Sequence, residues 1–265
     1  MATILDNKNP SSPSVFRPAA LLREARRQKA LPAIDVPKLC ILDPDGDIVR
    51  RLRKDGRSKP FTGWPCYHTQ LDAFELGGRT AGIVGCAVGA PFAVLIAEEL
   101  FASGCRFLIS VTSAGQIVPA GPTPYFVIID RALRDEGTSY HYAVASEYAN
   151  ADADLVRLAA DALESAGLRV IVGPTWTTDA PFRETAEAIE AAKQRGMLAV
   201  EMEAAALYAF AAANKRRVLC VAHVTNTMGQ AKHDFEKGEA DGTADALAVL
   251  DAIARRLAKL PGAPE

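Results

Sequence analysis

Apolar positions along this chain fall into two alternating textures. Short runs of aliphatic and β-branched residues occur at Leu39–Leu42, Gly82–Val88, Phe107–Val111, Tyr125–Ile129, Leu168–Val172 and Val218–Val224. They hardly alternate with polar residues, which predicts strands buried on both faces. Between several of them lie stretches with helical spacing, near Pro91–Ala102, Ala151–Ala166, Arg183–Arg195 and Glu201–Asn214. A last helix is expected from Ala244 to Leu260, with Leu247, Leu250, Ala254 and Leu257 on one face and Arg255, Arg256 and Lys259 off it. Pro18–Lys29 has the start signal and periodicity of a short basic helix, and residues 1–14, ending in NPSSPS, predict a flexible tail. No boundary stands out after residue 38, so residues 15–265 are expected to form one domain. Strands followed by helices make it an α/β fold, a three-layer α/β/α sandwich around a mostly parallel sheet.

Composition narrows the function classes. A chain of 265 residues buries one large core, and with 49% hydrophobic residues and a formal net charge of −2 it offers no electrostatic case for nucleic acid or an anionic membrane. No apolar run is long enough to span a bilayer and the polar N-terminus lacks a signal-peptide core, so a cytoplasmic location is expected. The five cysteines show no CxxC spacing and four lie in apolar stretches, which reads as reduced, buried thiols. With His68, His141, His223 and His233 scattered, neither a metal site nor a cofactor is expected.

In such folds ligands collect beyond the carboxyl ends of the strands, and polar chemistry concentrates there in five stretches. AVEMEAAALYAFA (Ala199–Ala211) sets two carboxylates at the mouth of an apolar, alanine-rich helix. On a helix Glu201 and Glu203 would point roughly 200° apart, so each needs its own partner. GIVGCAVGAP (Gly82–Pro91) opens a helix with glycines that admit an anion, but lacks both the GxGxxG and the GK[ST] patterns. SVTSAGQI (Ser110–Ile117) is a hydroxyl-rich stretch read as a turn whose N–H and O–H groups suit phosphate or sugar oxygens. TWTTDAPFRET (Thr175–Thr185), read as a loop, offers Phe182 as a face for a planar ring and Arg183 or Glu184 for its edge. In HVTNTMGQ (His223–Gln230), Asn226 offers a donor and an acceptor together, suited to a ring edge.

The order and spacing of these stretches resemble the purine and uridine phosphorylase family, over roughly Lys38 to Leu260. The resemblance implies a partly barrel-like mixed sheet and cleavage of a nucleoside's N-glycosidic bond. VEMEAA carries the strongest match: Met202 and Glu203 would hold the ribose, Glu203 through its two ring hydroxyls. TTDAPFRET and EGTSYHY (Glu136–Tyr142) look like the uridine-phosphorylase-like branch. Asn226 falls at the base-reading position, where relatives acting on adenine-type bases carry Asp. An amide there favours oxo bases, namely hypoxanthine, guanine or uracil. Glu203 and Asn226 are thus the expected catalytic pair, with Met202, Glu201, Phe182, Arg183, Thr178, Thr225 and Gly115 as substrate contacts. A homo-oligomer, dimer to hexamer, is expected.

The phosphate set departs from the family pattern. The family's glycine aligns near Pro44, and its arginines fall on Ile48, on Ser110 and, from a neighbouring subunit, near Tyr67 or His68. Only Ser113 keeps a matching hydroxyl. Asp43, Asp45 and Asp47 make the loop unwelcoming to a dianion. The phosphate or water site is expected at Ser113, Gly89, Ser110, His68 and Asp45. Phosphate as co-substrate is the first reading, water activated by a carboxylate the alternative, and a nucleoside-binding protein without catalysis the second alternative.

Overall fold

The computed structural model describes residues 3–228, 235 and 237–259; Gly229, Gln230, His233 and Leu260 lie outside them. In chain order the elements are α1 (Pro18–Lys29), β1 (Leu39–Asp43), α2 (Asp47–Lys54), β2 (Ser58–Pro60), β3 (Asp72–Leu76), β4 (Arg79–Gly85), α3 (Ala90–Ala102) and β5 (Phe107–Gln116). Then follow β6 (Tyr125–Asp135), β7 (Tyr148–Asn150), α4 (Ala153–Ser165), β8 (Val172–Thr178), α5 (Ala186–Gln194), β9 (Ala199–Glu201), α6 (Ala204–Asn214), β10 (Arg217–Asn226) and α7 (Thr243–Leu257). Residues 3–16 form turns along the surface.

One sheet organises the molecule. Its central run β10–β5–β1–β4 is parallel, and β3 and β2 continue it antiparallel. On the other side, β10 pairs with β6, β6 with β8, β8 with β9, and the three-residue β9 returns to β5. The ring β5–β10–β6–β8–β9 thus closes on itself, which makes the sheet barrel-like over that half. Each face is covered. Cys40 and Leu42 of β1 join the core beneath α3 and α6, whereas Leu39 and Ile41 join the one beneath α2, α4 and α7. That alternation is why a central strand reads as an unbroken apolar run.

Alanine-rich α6 lies close against the sheet, and Tyr208 ties it down. Its hydroxyl donates to the Ile129 carbonyl (2.6 Å) and accepts from the Cys220 N–H (3.0 Å), joining β6 to β10 at the barrel seam. Tyr208→Phe should cost about 1–3 kcal/mol, because two buried backbone groups lose their partner. A urea midpoint unchanged from wild type would show that the seam does not need this bond.

Several boundaries differ from expectation for physical reasons. The stretch read as a turn at Ser110–Ile117 is extended, because β5 runs on to Gln116 to pair with β9 and β10. The expected strand at Leu168–Val172 lies mostly ahead of β8, while Thr175 and Thr177, within the ladder, turn their hydroxyls to Glu201. Glu201 ends a strand rather than starting a helix, and α6 begins only at Ala204. The apolar face of α7 agrees with expectation: Leu247, Leu250, Ala254 and Leu257 are buried. Four cysteines are buried and Cys86 is exposed, all of them free. Among the described residues, no helix is long and apolar enough to cross a membrane and no cluster of three His, Cys, Asp or Glu could hold a metal ion.

Candidate functional site

The ends of β1, β4, β5, β8, β9 and β10 meet at one edge of the sheet, and the polar stretches converge there. Glu201 terminates β9 with 3% exposure. Its Oε2 accepts the N–H groups of Glu203 and Ala204, both at 2.7 Å, and its Oε1 accepts the Thr175 and Thr177 hydroxyls. Thr177 in turn accepts the Ala205 N–H at 2.9 Å. The first N–H groups of α6 are therefore satisfied by side chains from β9 and β8 rather than by a local cap. Glu201, expected as a substrate contact, has both carboxylate oxygens engaged by four donors of the chain itself.

Glu203 has the opposite condition. It is 1% exposed, its Oε1 accepts the Gly89 N–H at 2.7 Å, and its Oε2 has no partner. Gly89 precedes α3 at φ 91°, a left-handed conformation that leaves its N–H aimed across at the carboxylate. Burial, followed by the charge of Glu201, pushes the Glu203 carboxyl up to about 8, against the Gly89 N–H and the nearby Thr112 hydroxyl. Burial also raises Glu201, opposed by its donors. With four donors on Glu201 and one on Glu203, the shared proton belongs on Glu203. Met202 sits half-buried between the two. A buried acid with one oxygen lacking a protein partner has the capacity to receive a hydroxyl group.

The acid loop after β1 closes over β5. Asp45 takes both donors of Ser113, the N–H at 2.8 Å and the hydroxyl at 3.0 Å. Behind it, Asp43 is pushed up to about 7 by burial, with the Val49 N–H opposing and Asp45 and Asp47 adding to the rise. The cations near this loop, Arg50 and Lys237, both bind Asp47. Arg50 also donates to the Asp45 carbonyl at 2.9 Å and faces Cys86 Sγ at 3.7 Å. Arg51 and Arg53 turn away, to Asp55 and to buried Asp72. A small polar cavity lies here, lined by Asp43, Asp45, Asp47, Ser113, His223 and Lys237 among others. His223 stacks on Phe126 (4.3 Å between centroids), has its Nε2 unpartnered, and is lowered to about 4 chiefly by burial.

At the far side Asn226 is buried, its Oδ1 accepting the Met228 N–H (2.9 Å) and its Nδ2 donating to Thr225 Oγ1 (3.2 Å). Asn226 pairs with Gly115, whose missing side chain leaves room for the Met228 sulfur and the Asn226 amide. Thr178 is buried and receives the Ala180 N–H. Not every expected residue joins the cluster. Phe182 is 99% exposed on a short turn with exposed Arg183 beside it, so it forms no ring-stacking face among the described residues. His68 is exposed, its ring edge-on to Phe92 in the first turn of α3. Ser110 lies buried deeper along β5, with its hydroxyl unpartnered, on the opposite face of the strand from Ser113. Nothing local marks Thr112, Thr175 or Thr177 as supports of the glutamates; only the strand pairing brings them together.

A model of the phosphorylase superfamily matches residues 38–260. The chain belongs to that superfamily. A uridine phosphorylase of Thermococcus kodakarensis is 29% identical over 183 residues, covering 62% of this chain. The match spans 65% of that relative's length. Two crystal structures of uridine phosphorylase from Vibrio fischeri, one complexed with 6-hydroxy-1-naphthoic acid, superpose with TM-scores of 0.71 and 0.72 at 21% identity. They cover 84% and 85% of this chain and 94% and 93% of their own. This likeness extends the phosphorylase superfamily fold to the whole sheet, including the closed ring that brings β9 beside β5.

Proposed function

We propose that this chain cleaves the N-glycosidic bond of a nucleoside with an oxo base, and that water is the acceptor. Superfamily membership and the uridine phosphorylase relatives support glycosidic cleavage. The acceptor rests on one observation: the Asp45 carboxylate occupies both the N–H and the hydroxyl of Ser113, the residue at the family's phosphate-binding hydroxyl. Phosphate would have to displace that carboxylate and enter beside Asp43 and Asp47, with the two nearby cations already held by Asp47. A buried dianion without free cations costs several kcal/mol. Water needs only an oriented base.

In this reading Glu203 and Met202 fix the ribose, and Asp45 takes a proton from water as its oxygen bonds to the anomeric carbon. The glycosidic bond breaks through an oxocarbenium-like transition state, and the electron pair leaves with the base. Asn226 stabilises that charge with its remaining amide N–H, and the proton held by Asp45 finally neutralises the base. Phe182 and Val88, 99% and 50% exposed, fit a homo-oligomer whose neighbouring copy covers them.

Base choice provides a test of Asn226. Inosine, guanosine or uridine should exceed adenosine by about tenfold or more in kcat/KM, the worth of one mismatched hydrogen bond. Asn226→Asp should narrow that ratio. A wild-type enzyme that prefers adenosine sinks the assignment.

A further inference from the structure

At the opposite end of the strands the chain concentrates positive charge. β1, β5 and β10 begin side by side at Leu39, Phe107 and Arg217, and the residues at these starts are cationic. Lys38, Arg106, Lys215, Arg216 and Arg217 line an open cavity of about 500 Å³ that has no acid in its lining. A second cavity of about 370 Å³ starts across the same Lys215–Arg217 ridge. The acid there, Asp152, already accepts the first N–H groups of α4. Lys38 is paired with Asp35; Arg106, Lys215, Arg216 and Arg217 form no close ion pair among the described residues, although Asp35 also acts on Arg106 and Glu98 on Arg216 at longer range.

The cluster is held in place. The Arg216 guanidinium lies over the Phe101 ring at 5.4 Å and that of Arg217 over Phe107 at 4.9 Å. Such contacts use the flat face of the guanidinium and leave its N–H edge for an oxyanion. The Lys38 carbonyl accepts the N–H groups of both Arg106 and Phe107, fixing those strand starts beside each other. Cations after a helix C-terminus offset the helix dipole, which accounts for Lys215 capping α6. It does not account for Arg106 and Arg217 at strand starts. Nor does composition force an acid-free lining, since the chain carries 32 acids against 30 Lys and Arg. Crowded like charges repel one another until an anion enters.

We propose that this cavity is a second binding site, for a small anion carrying several phosphate charges. It is independent of the reaction assigned above. Phe107 at its floor and Ser113 at the nucleoside site are six residues apart on β5, or about 20 Å, so one ligand does not occupy both.

The test is isothermal titration of the full chain with orthophosphate, tripolyphosphate and ATP at fixed ionic strength. Saturable binding should tighten from orthophosphate to tripolyphosphate. Arg216→Glu with Arg217→Glu should weaken it about tenfold or more while nucleoside turnover persists. Should that pair fail to fold, exposed Arg106→Glu carries the same expectation. Glu203→Gln should leave binding unchanged, which separates this site from the nucleoside one. ATP and tripolyphosphate binding equally assigns recognition to the phosphate chain; tighter ATP binding adds the nucleoside part, and both support the site. No saturation by about 10 mM, indifference to charge reversal, or a preference for a single-stranded oligonucleotide overturns it.

Discussion

Glu203→Gln should lower kcat/KM for nucleoside cleavage by about 10²-fold or more and at the same time make the protein more stable above neutral pH. The first effect follows from setting an amide N–H where the Glu203 carboxyl meets the Gly89 N–H and the ribose hydroxyls, which leaves a buried polar group mismatched at about 1–3 kcal/mol. The second follows from burial. Folding raises the Glu203 carboxyl to about 8, so between its ordinary value and that pH the folded chain binds a proton the unfolded chain does not. This contribution to stability is fully present at low pH and is lost as pH rises through about 8. Asp43, raised to about 7, adds to the same slope. A neutral amide cannot titrate, so the fall in Tm between pH 6 and pH 9 should flatten in the variant. Glu201→Gln should behave differently. Two donors converge on each oxygen of that carboxylate, so an amide NH₂ in place of either oxygen meets a pair of donors, and Tm should drop. A fully active Glu203→Gln enzyme, or a Glu203→Gln Tm that tracks Glu201→Gln, would contradict the division of labour between the two acids.

The contrast between these glutamates explains what the sequence could and could not reveal. VEMEAA announces two acids in apolar surroundings, but the helical separation of roughly 200° expected for them does not apply, because Glu201 ends β9 and α6 begins only at Ala204. Which acid faces substrate depends on donors remote in the chain: Thr175 and Thr177, and Gly89. No local pattern encodes those pairings, because β9 is three residues long and exists only between β8 and β5. Central strands such as Leu39–Asp43 were legible because both faces are buried and the apolar run is unbroken. The β3–β4 hairpin was legible in principle. Gly77 and Gly78, at φ 60° and 80°, form the two-residue turn that such a pair favours, between Phe74, Leu76 and Ala81. Phe182 illustrates the other limit. An aromatic residue in a polar loop reads as a ring-stacking face, but Phe182 is fully exposed and meets no such partner among the described residues.

The acceptor gives the second large effect. In phosphate-free buffer cleavage should proceed and release free ribose, and millimolar phosphate should leave the rate unchanged. Asp45→Asn should then reduce kcat by about 10²–10⁴-fold, the range for loss of a positioned general base. The fold should survive, since an amide oxygen still accepts from one Ser113 donor and the loop keeps the bond from the Gly46 N–H to the Asp43 carbonyl at 2.9 Å. Phosphorolysis predicts the reverse of each result. Removing Asp45 would free the Ser113 N–H and hydroxyl and reduce repulsion, so Asp45→Ala would raise phosphate affinity and the product would be ribose 1-phosphate. In that case Arg50 and Lys237 would have to leave Asp47 to meet the dianion, and Arg50→Ala would abolish the phosphate dependence. Under hydrolysis Arg50→Ala should change kcat less than Asp45→Asn does, because that guanidinium braces the loop through the Asp45 carbonyl without touching its carboxylate. The sugar product of one phosphate-free incubation separates the two chemistries, and the ranking of these variants identifies the group that carries the one observed.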